Sequence, residues 1–254
     1  MTQNTPILEF DPTREAVYEP QMERVAGGLN AHCVLCFFPE VLAKLAADGI
    51  LKLATTMYSE MSPNPVYTLT VGTQQVTVTH PGVGAPLAAF YLEILIAFGC
   101  DKFVAVGGAG ALRSDLSLGH LVVPNSAVRD EGTSYHYLPP SREVAGSPDA
   151  IIAIVQTLTQ KAVPYVVGKT WTTDGIFRET RPKVTRRQAE GCLTVEMETA
   201  TFFAIAQFRN VAFGQILYCG DDLTGKEWDS RDWVNQTPMR EKLFWLAVES
   251  CLAI

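Results

Sequence analysis

Short apolar runs recur along this chain, separated by stretches of helical length, and that alternation restricts the possible folds more than any other feature. HCVLCFF at 32–38, FVAV at 103–106, YVV at 165–167 and VAFGQILYC at 211–219 are buried-strand patterns, rich in β-branched and aromatic residues. VYTLTV at 66–71 and QVTVT at 75–79 alternate around Gly72-Thr73-Gln74, which predicts a hairpin. LVV at 121–123 and Ala127-Val128 continue the strand pattern, and a short strand at 191–195 follows later. Helices are predicted from Glu40 to Ala47 behind Pro39, from Leu87 to Phe98 before Gly99, over 149–161, and from Glu198 to Phe208. A last helix starts at Thr237-Pro238, with threonine as cap and proline in the first turn, and has Leu243, Leu246, Ala247 and Cys251 on its apolar face. Strands alternating with helices predict a three-layer α/β/α sandwich around a mixed β-sheet. No repeat or low-complexity linker divides it, so residues 1–254 are expected to form a single domain, with 1–30 as an irregular N-terminal arm.

The charge balance removes several function classes. The chain carries a net charge of −7 with only 20 Lys and Arg among 254 residues, which argues against nucleic acid or an anionic membrane as partner. The first residues lack the basic and apolar segments of a secretory signal, and no apolar run approaches the ~18 residues of a membrane helix. A cytoplasmic protein is expected. The six cysteines sit mostly in apolar runs, where a free thiol behaves as a small hydrophobe. Cys33 and Cys36 have redox or metal spacing but no second pair, so a core strand is the expected reading. The four histidines have no ligand spacing with the cysteines, and no metal is expected.

Four polar or glycine-rich clusters follow the strands. FVAVGGAGAL at 103–112 places Gly107, Gly108, Ala109 and Gly110 behind an apolar run. Such a cluster reads as a tight turn exposing N–H groups, which serves a phosphate, a sugar or another helix. Glu196-Met197-Glu198 lies at the mouth of a helix, where a carboxylate gains from the dipole. One glutamate is explained in that way; two beside a methionine suggest a ligand at a strand end. Asp221 and Asp222 follow another buried strand, and hold either a cap or a general acid. RDEGTSYHY at 129–137 mixes polar, aromatic and small residues, as a ligand-binding or partner-binding loop would.

The order of HPGVGAP, AVGGAGAL with SLGHLVVP, VRDEGTSYHY, TTDGIF, VEMETATFFAIA and LYCGDD resembles the nucleoside phosphorylase family, from about residue 32 to the C-terminus. That family comprises uridine phosphorylases, hexameric-type purine nucleoside phosphorylases and adenosylhomocysteine-type nucleosidases. VEMETA is the most specific segment, and VRDEGTSYHY leans toward the uridine phosphorylases. The resemblance implies a partly barrel-like sheet and cleavage of a ribose–base N-glycosidic bond with phosphate as co-substrate, without a cofactor, in a homodimer or hexamer. It implies that Glu198 holds the ribose hydroxyls, that Met197 packs under the sugar and that Glu196 belongs to the ribose site; the family's N-terminal histidine is not found in residues 1–31, and His136 or His32 is the candidate for its place in the ribose site. Asp221 matches the purine-type acid that protonates the leaving base. Thr173, Ile176, Phe177 and Arg178 fall on the loop that lines the base, and Gly107, Gly108, Ala109, Gly110 and Arg129 on the anion site.

The chain departs from that pattern at the phosphate. The arginine behind the first strand falls on Val41, the one before the glycines on Ala105, and a Thr or Ser within them on Gly108. Arginine grips phosphate through two charge-assisted hydrogen bonds, so its loss matters. Arg113, Arg129 and Arg178 are the candidates to replace it from within the chain. The nucleosidases activate water with a glutamate near the first strand, close to Glu40. Three readings result: a nucleoside phosphorylase with a rearranged phosphate site, a nucleoside hydrolase that uses Glu40, and a nucleoside-binding protein without turnover.

Overall fold

The computed structural model describes residues 5–23 and 28–254; residues 1–4 and 24–27 of the expected arm lie outside the described ones. The order is β1 (His32–Cys36), α1 (Pro39–Ala47), β2 (Leu51–Tyr58), β3 (Pro63–Val71), β4 (Gln74–Thr79), α2 (Ala85–Ala97), β5 (Lys102–Ala111) and β6 (Leu121–Asp130). Then come β7 (Glu143–Ala145), α3 (Pro148–Gln160), β8 (Tyr165–Thr173), α4 (Arg181–Ala189), β9 (Cys192–Glu196), α5 (Thr199–Arg209), β10 (Ala212–Asp222) and α6 (Thr237–Leu252).

All ten strands join one mixed sheet. Strands β2-β3-β4-β1-β5 form an open run, and β5 also pairs with β10 and β9. Because β10 reaches β9 through β6 and β8, the strands β5-β10-β6-β8-β9 close into a five-stranded barrel. β1 shows why its sequence reads as an unbroken apolar run. Cys33 and Leu35 face a core layer with α2 and α5, while Val34 and Cys36 face another with α1, α3 and α6. A strand covered on both faces has no polar side to present. In the first layer, Phe213 stacks between Phe103 and Phe202 at centroid distances of 5.8 and 4.7 Å. All six cysteines are free and buried. Among the described residues no helix is long and apolar enough to cross a membrane, and no group of three His, Cys, Asp or Glu side chains is placed to hold a metal ion.

Several boundaries differ from the sequence reading, each for a physical reason. The first strand stops at Cys36 because Pro39 already begins α1. β8 runs on through Thr173, and β10 runs through Asp221 and Asp222, so polar residues near the closed end of the barrel still lie in strands. The last helix is capped by Gln236 rather than Thr237. β2 and α4 carry no clear hydrophobic period. β2 pairs only with β3 and leaves Leu53 exposed. α4 buries only Val184 and Arg187, the latter ion-paired with Asp130 and stacked over Trp171 at 5.3 Å.

The glycine cluster is not a turn. Gly107, Gly108 and Gly110 lie inside β5, and none has a positive φ. Space, not backbone freedom, requires them. A Cβ on Gly107 would stand 2.9 Å from Phe37 Cδ2, and one on Gly108 3.2 Å from the Tyr218 ring. On Gly110 it would stand 2.5 Å from Leu223 Cδ1 and 3.0 Å from Val195 Cγ1. Gly110→Ala is therefore expected to destabilise the fold by about 1–3 kcal/mol through overpacking. Urea unfolding reads this directly, and an unchanged midpoint would contradict it.

Candidate active site

Strand ends meet at one cavity of about 560 Å³. β5 contributes Gly107–Gly110 along its floor, the end of β9 leads into Glu196-Met197-Glu198, and the end of β10 brings Asp221. Residues far apart in sequence share this wall because β5 pairs with both β9 and β10: Gly110 lies opposite Val195, and Gly108 beside Tyr218.

The two glutamates have different tasks. Glu196 Oε2 accepts the N–H groups of Glu198 and Thr199, both at 2.7 Å, and Oε1 accepts the Thr172 hydroxyl at 2.6 Å. These are free donors at the start of α5, so Glu196 holds the turn and the helix end. Its lone pairs are committed to the fold, which leaves it a positioning residue at the cavity edge. Glu198 sits at the cap position of α5. Its Oε1 accepts the Gly84 N–H at 2.5 Å, which ties it to the glycine turn before α2, and its Oε2 accepts the Met197 N–H at 3.3 Å. Burial, reinforced by the neighbouring Glu196 charge, pushes the Glu198 carboxyl up to about 8. Burial raises Glu196 as well.

Also in the cavity wall, Asp221 Oδ2 accepts the Trp228 indole N–H at 2.7 Å. Asp222 turns away into an ion pair with Arg231. Glu179, between a short 3-10 turn (Ile176–Arg178) and α4, also lines the cavity. Burial, with the Asp221 charge added, raises its carboxyl to about 7, against the pull of Lys183. Ile176 and Phe177 line the same mouth, and Phe177 is 95% exposed, so a ligand or a second chain has an uncovered ring to meet.

Two arginines line this cavity, and the sequence singled out neither: Arg181 donates to the Leu223 and Lys226 carbonyls at 2.6 and 2.9 Å, while Arg240 faces the glycine strand. Arg240, in the first turn of α6, lines the wall beside Phe37, Gly107 and Gly108. Its Nη1 donates to Glu40 Oε1 at 2.8 Å, the guanidinium lies over Phe38 and Trp233 at 4.8 and 5.5 Å, and its buried Nε has no partner. The other candidates are spent elsewhere. Arg129 is buried and donates to Ser134, Ser141 and the Leu138 and Pro139 carbonyls, Arg113 pairs with Asp115, and Arg178 does not line the cavity. Glu40 is turned to Arg240 and does not line the cavity either. Thr173 is buried, its hydroxyl accepting the Gly175 N–H at 3.3 Å. His136 lies at a second cavity of about 320 Å³, between the N-terminal arm and the end of α5.

Besides Arg240 and Glu179, sequence reasoning missed Gln215, Trp228 and Trp233 as cavity residues. Gln215 is a polar residue inside an apolar strand run, which is the one local signal that was available; its Oε1 accepts the Thr199 hydroxyl at 2.9 Å.

Comparison with known proteins bears on the same residues. A family model described as the phosphorylase superfamily matches residues 31–253. A guanosine phosphorylase of Halorubrum lacusprofundi is 28% identical over 66% of this chain and 69% of its own length. A uridine phosphorylase of Thermococcus kodakarensis is 29% identical over 55% of each chain, so the match spans about half of that relative. The crystal structure of a uridine phosphorylase from Vibrio fischeri superposes with a TM-score of 0.72 at 22% identity, covering 89% of this chain and 91% of that one, a likeness of fold. With the matched region taking in every strand and the whole cavity, this chain belongs to the phosphorylase superfamily.

Proposed function

We propose that this protein cleaves the N-glycosidic bond of a nucleoside with phosphate, releasing the free base and ribose 1-phosphate. The observation that carries the reading is the single cavity joining Glu198 and Met197, Asp221, and Arg240 beside the glycine strand. It separates three chemical tasks along one wall. A carboxylate at Glu198 accepts sugar hydroxyls and, once ionised, stabilises the positive charge that develops on the ribose as the bond breaks. Asp221 delivers a proton to the departing base, since a purine anion leaves poorly. Arg240 supplies the positive charge for the incoming anion from α6, in place of arginines at positions 41 and 105. The guanosine, uridine and purine nucleoside phosphorylases among the relatives support phosphorolysis. Hydrolysis with Glu40 as base lacks support, because that carboxylate is paired with Arg240 outside the cavity wall. The homodimer or hexamer expected from the resemblance is part of the same proposal, and sedimentation measures it.

Base release from a nucleoside panel, with and without phosphate, tests the reaction. Release that requires phosphate and yields ribose 1-phosphate is the expected result; equal release without phosphate overturns it. The anion role has its own test. Arg240→Gln is expected to raise the KM for phosphate about 10-fold or more, the scale of a lost charge-assisted hydrogen bond. The nucleoside KM should move little. Glu40→Gln, which breaks the ion pair but keeps the guanidinium, should leave the phosphate KM near its original value or lower it. Equal increases in both variants would show that the pair only supports the fold.

A further inference from the structure

We propose that Gln215 is a second donor to the attacking phosphate, a neutral amide in the same cavity as Arg240. This rests on the functional reading above and adds to it a residue in contact with the co-substrate. Gln215 interrupts the apolar run of β10 and is only 1% exposed, yet it lines the cavity. An amide taken out of water costs free energy unless its polar atoms are paired. Half of this one is: Oε1 accepts the Thr199 hydroxyl at 2.9 Å, at the start of α5. That bond holds the amide in one orientation and turns Nε2 away from Thr199. Among the described residues, no group accepts from Nε2. This nitrogen is not enclosed, unlike the unpartnered Nε atoms of Arg187 and Arg240, so its N–H groups open on the cavity. Two N–H groups fixed in a cavity wall without a protein acceptor are completed by an acceptor on the ligand.

The strands show which part of the ligand that is. In the ladder between β5 and β10, Gln215 is level with Ala105. Asp221 stands further along, where a Cβ added to Gly110 would lie 3.4 Å from its Oδ1. From Ala105 to Gly110 the strand advances about 16 Å, at ~3.3 Å per residue. The bond to Thr199 sets Gln215 next to Glu198, the sugar carboxylate, and away from the acid that serves the base. A nucleophile reaches the anomeric carbon from the face opposite the departing base. The ribose hydroxyls are donors and have their acceptor in Glu198. A phosphate oxygen offers lone pairs and needs donors, which Nε2 supplies. Being neutral, the amide orients the anion without adding to the charge that Arg240 brings.

Steady-state kinetics test this with the native protein, Gln215→Met and Thr199→Val. Gln215→Met keeps the length of the side chain and removes the amide. It should raise the KM for phosphate about 10-fold or more, the scale of a hydrogen bond to a charged group. The nucleoside KM and the kcat at saturating phosphate should move little. Thr199→Val breaks the same internal bond from the other side but keeps the amide, so its phosphate KM should rise much less. An unchanged phosphate KM in Gln215→Met, a rise in the nucleoside KM instead, or equal rises in the two variants would overturn the assignment. A crystal structure of the native protein with inorganic phosphate needs no variant to fold. A phosphate oxygen at hydrogen-bond distance from Nε2 is expected there, about 2.9 Å, and a phosphate bound elsewhere would overturn the assignment. If the native protein releases base equally without phosphate, the phosphorolysis reading fails by that result alone. Calorimetry with inorganic phosphate then decides Gln215: binding at least 10-fold weaker in Gln215→Met supports the donor role, and equal or absent binding overturns it.

Discussion

Asp221→Asn is expected to slow release of an unmodified purine about 10²–10⁴-fold, the range for loss of a positioned general acid. The amide still accepts the Trp228 N–H, now at 2.7 Å to the carboxylate, so the strand end keeps its anchor. What the variant lacks is a transferable proton. A nucleoside already quaternised at N7, such as 7-methylguanosine, departs without one. Its cleavage by Asp221→Asn should fall only a few-fold. Steady-state rates on guanosine and 7-methylguanosine measure the contrast, and parallel losses on the two would remove Asp221 from the acid role.

Glu198→Gln is the second large effect. Loss of the charge is expected to lower kcat/KM about 100-fold, or about 2.7 kcal/mol, within reach of one or two charge-assisted hydrogen bonds. The glutamine oxygen still accepts from Gly84, and the repulsion from the buried Glu196 disappears, so the melting temperature should hold or rise. The pH dependence separates this from a packing defect. In the native protein Glu198 must lose its proton to stabilise a cation, so kcat/KM should rise as pH passes about 8, and the variant should lose that limb. The stability has the opposite sign. The folded state raises this carboxyl above its unfolded value and so binds the proton more tightly. Its contribution is therefore greatest at low pH and falls as pH climbs through about 8. Glu198→Gln should flatten that decline in urea titrations between about pH 5 and 8, the interval from its unfolded to its folded value, above which the native dependence levels off.

Fold class and motif order were legible in the sequence because buried strands and helices leave periodic apolar patterns. β1, α1, α2, α3 and β10 each show one, since each packs a continuous face against the core. β2 and α4 do not, being largely exposed, and their place is set by pairing and ion pairs rather than burial. In the site, Glu198 and Asp221 stood out because polar residues directly behind a buried run have few structural uses, and Met197 because it lies between two such carboxylates. Glu196 stood out for the same reason, yet its oxygens accept the N–H groups of Glu198 and Thr199 at the start of α5, a distinction that depends on which donors they face.

The sequence by itself determined the layered α/β architecture and the strand-end carboxylates, because these follow from local patterns of burial and polarity, and the order of its motifs carried the resemblance to the family. Only the tertiary structure decided what the glycines are for and where the positive charge lies. The glycines make room for Phe37, Tyr218 and Leu223, which come from other strands and loops. Arg240 reaches the cavity from a helix about 130 residues further on, and Arg129 is drawn away by a loop beside it in the chain. Close approach between distant segments leaves no periodicity in either of them, since it is fixed by barrel closure and helix packing.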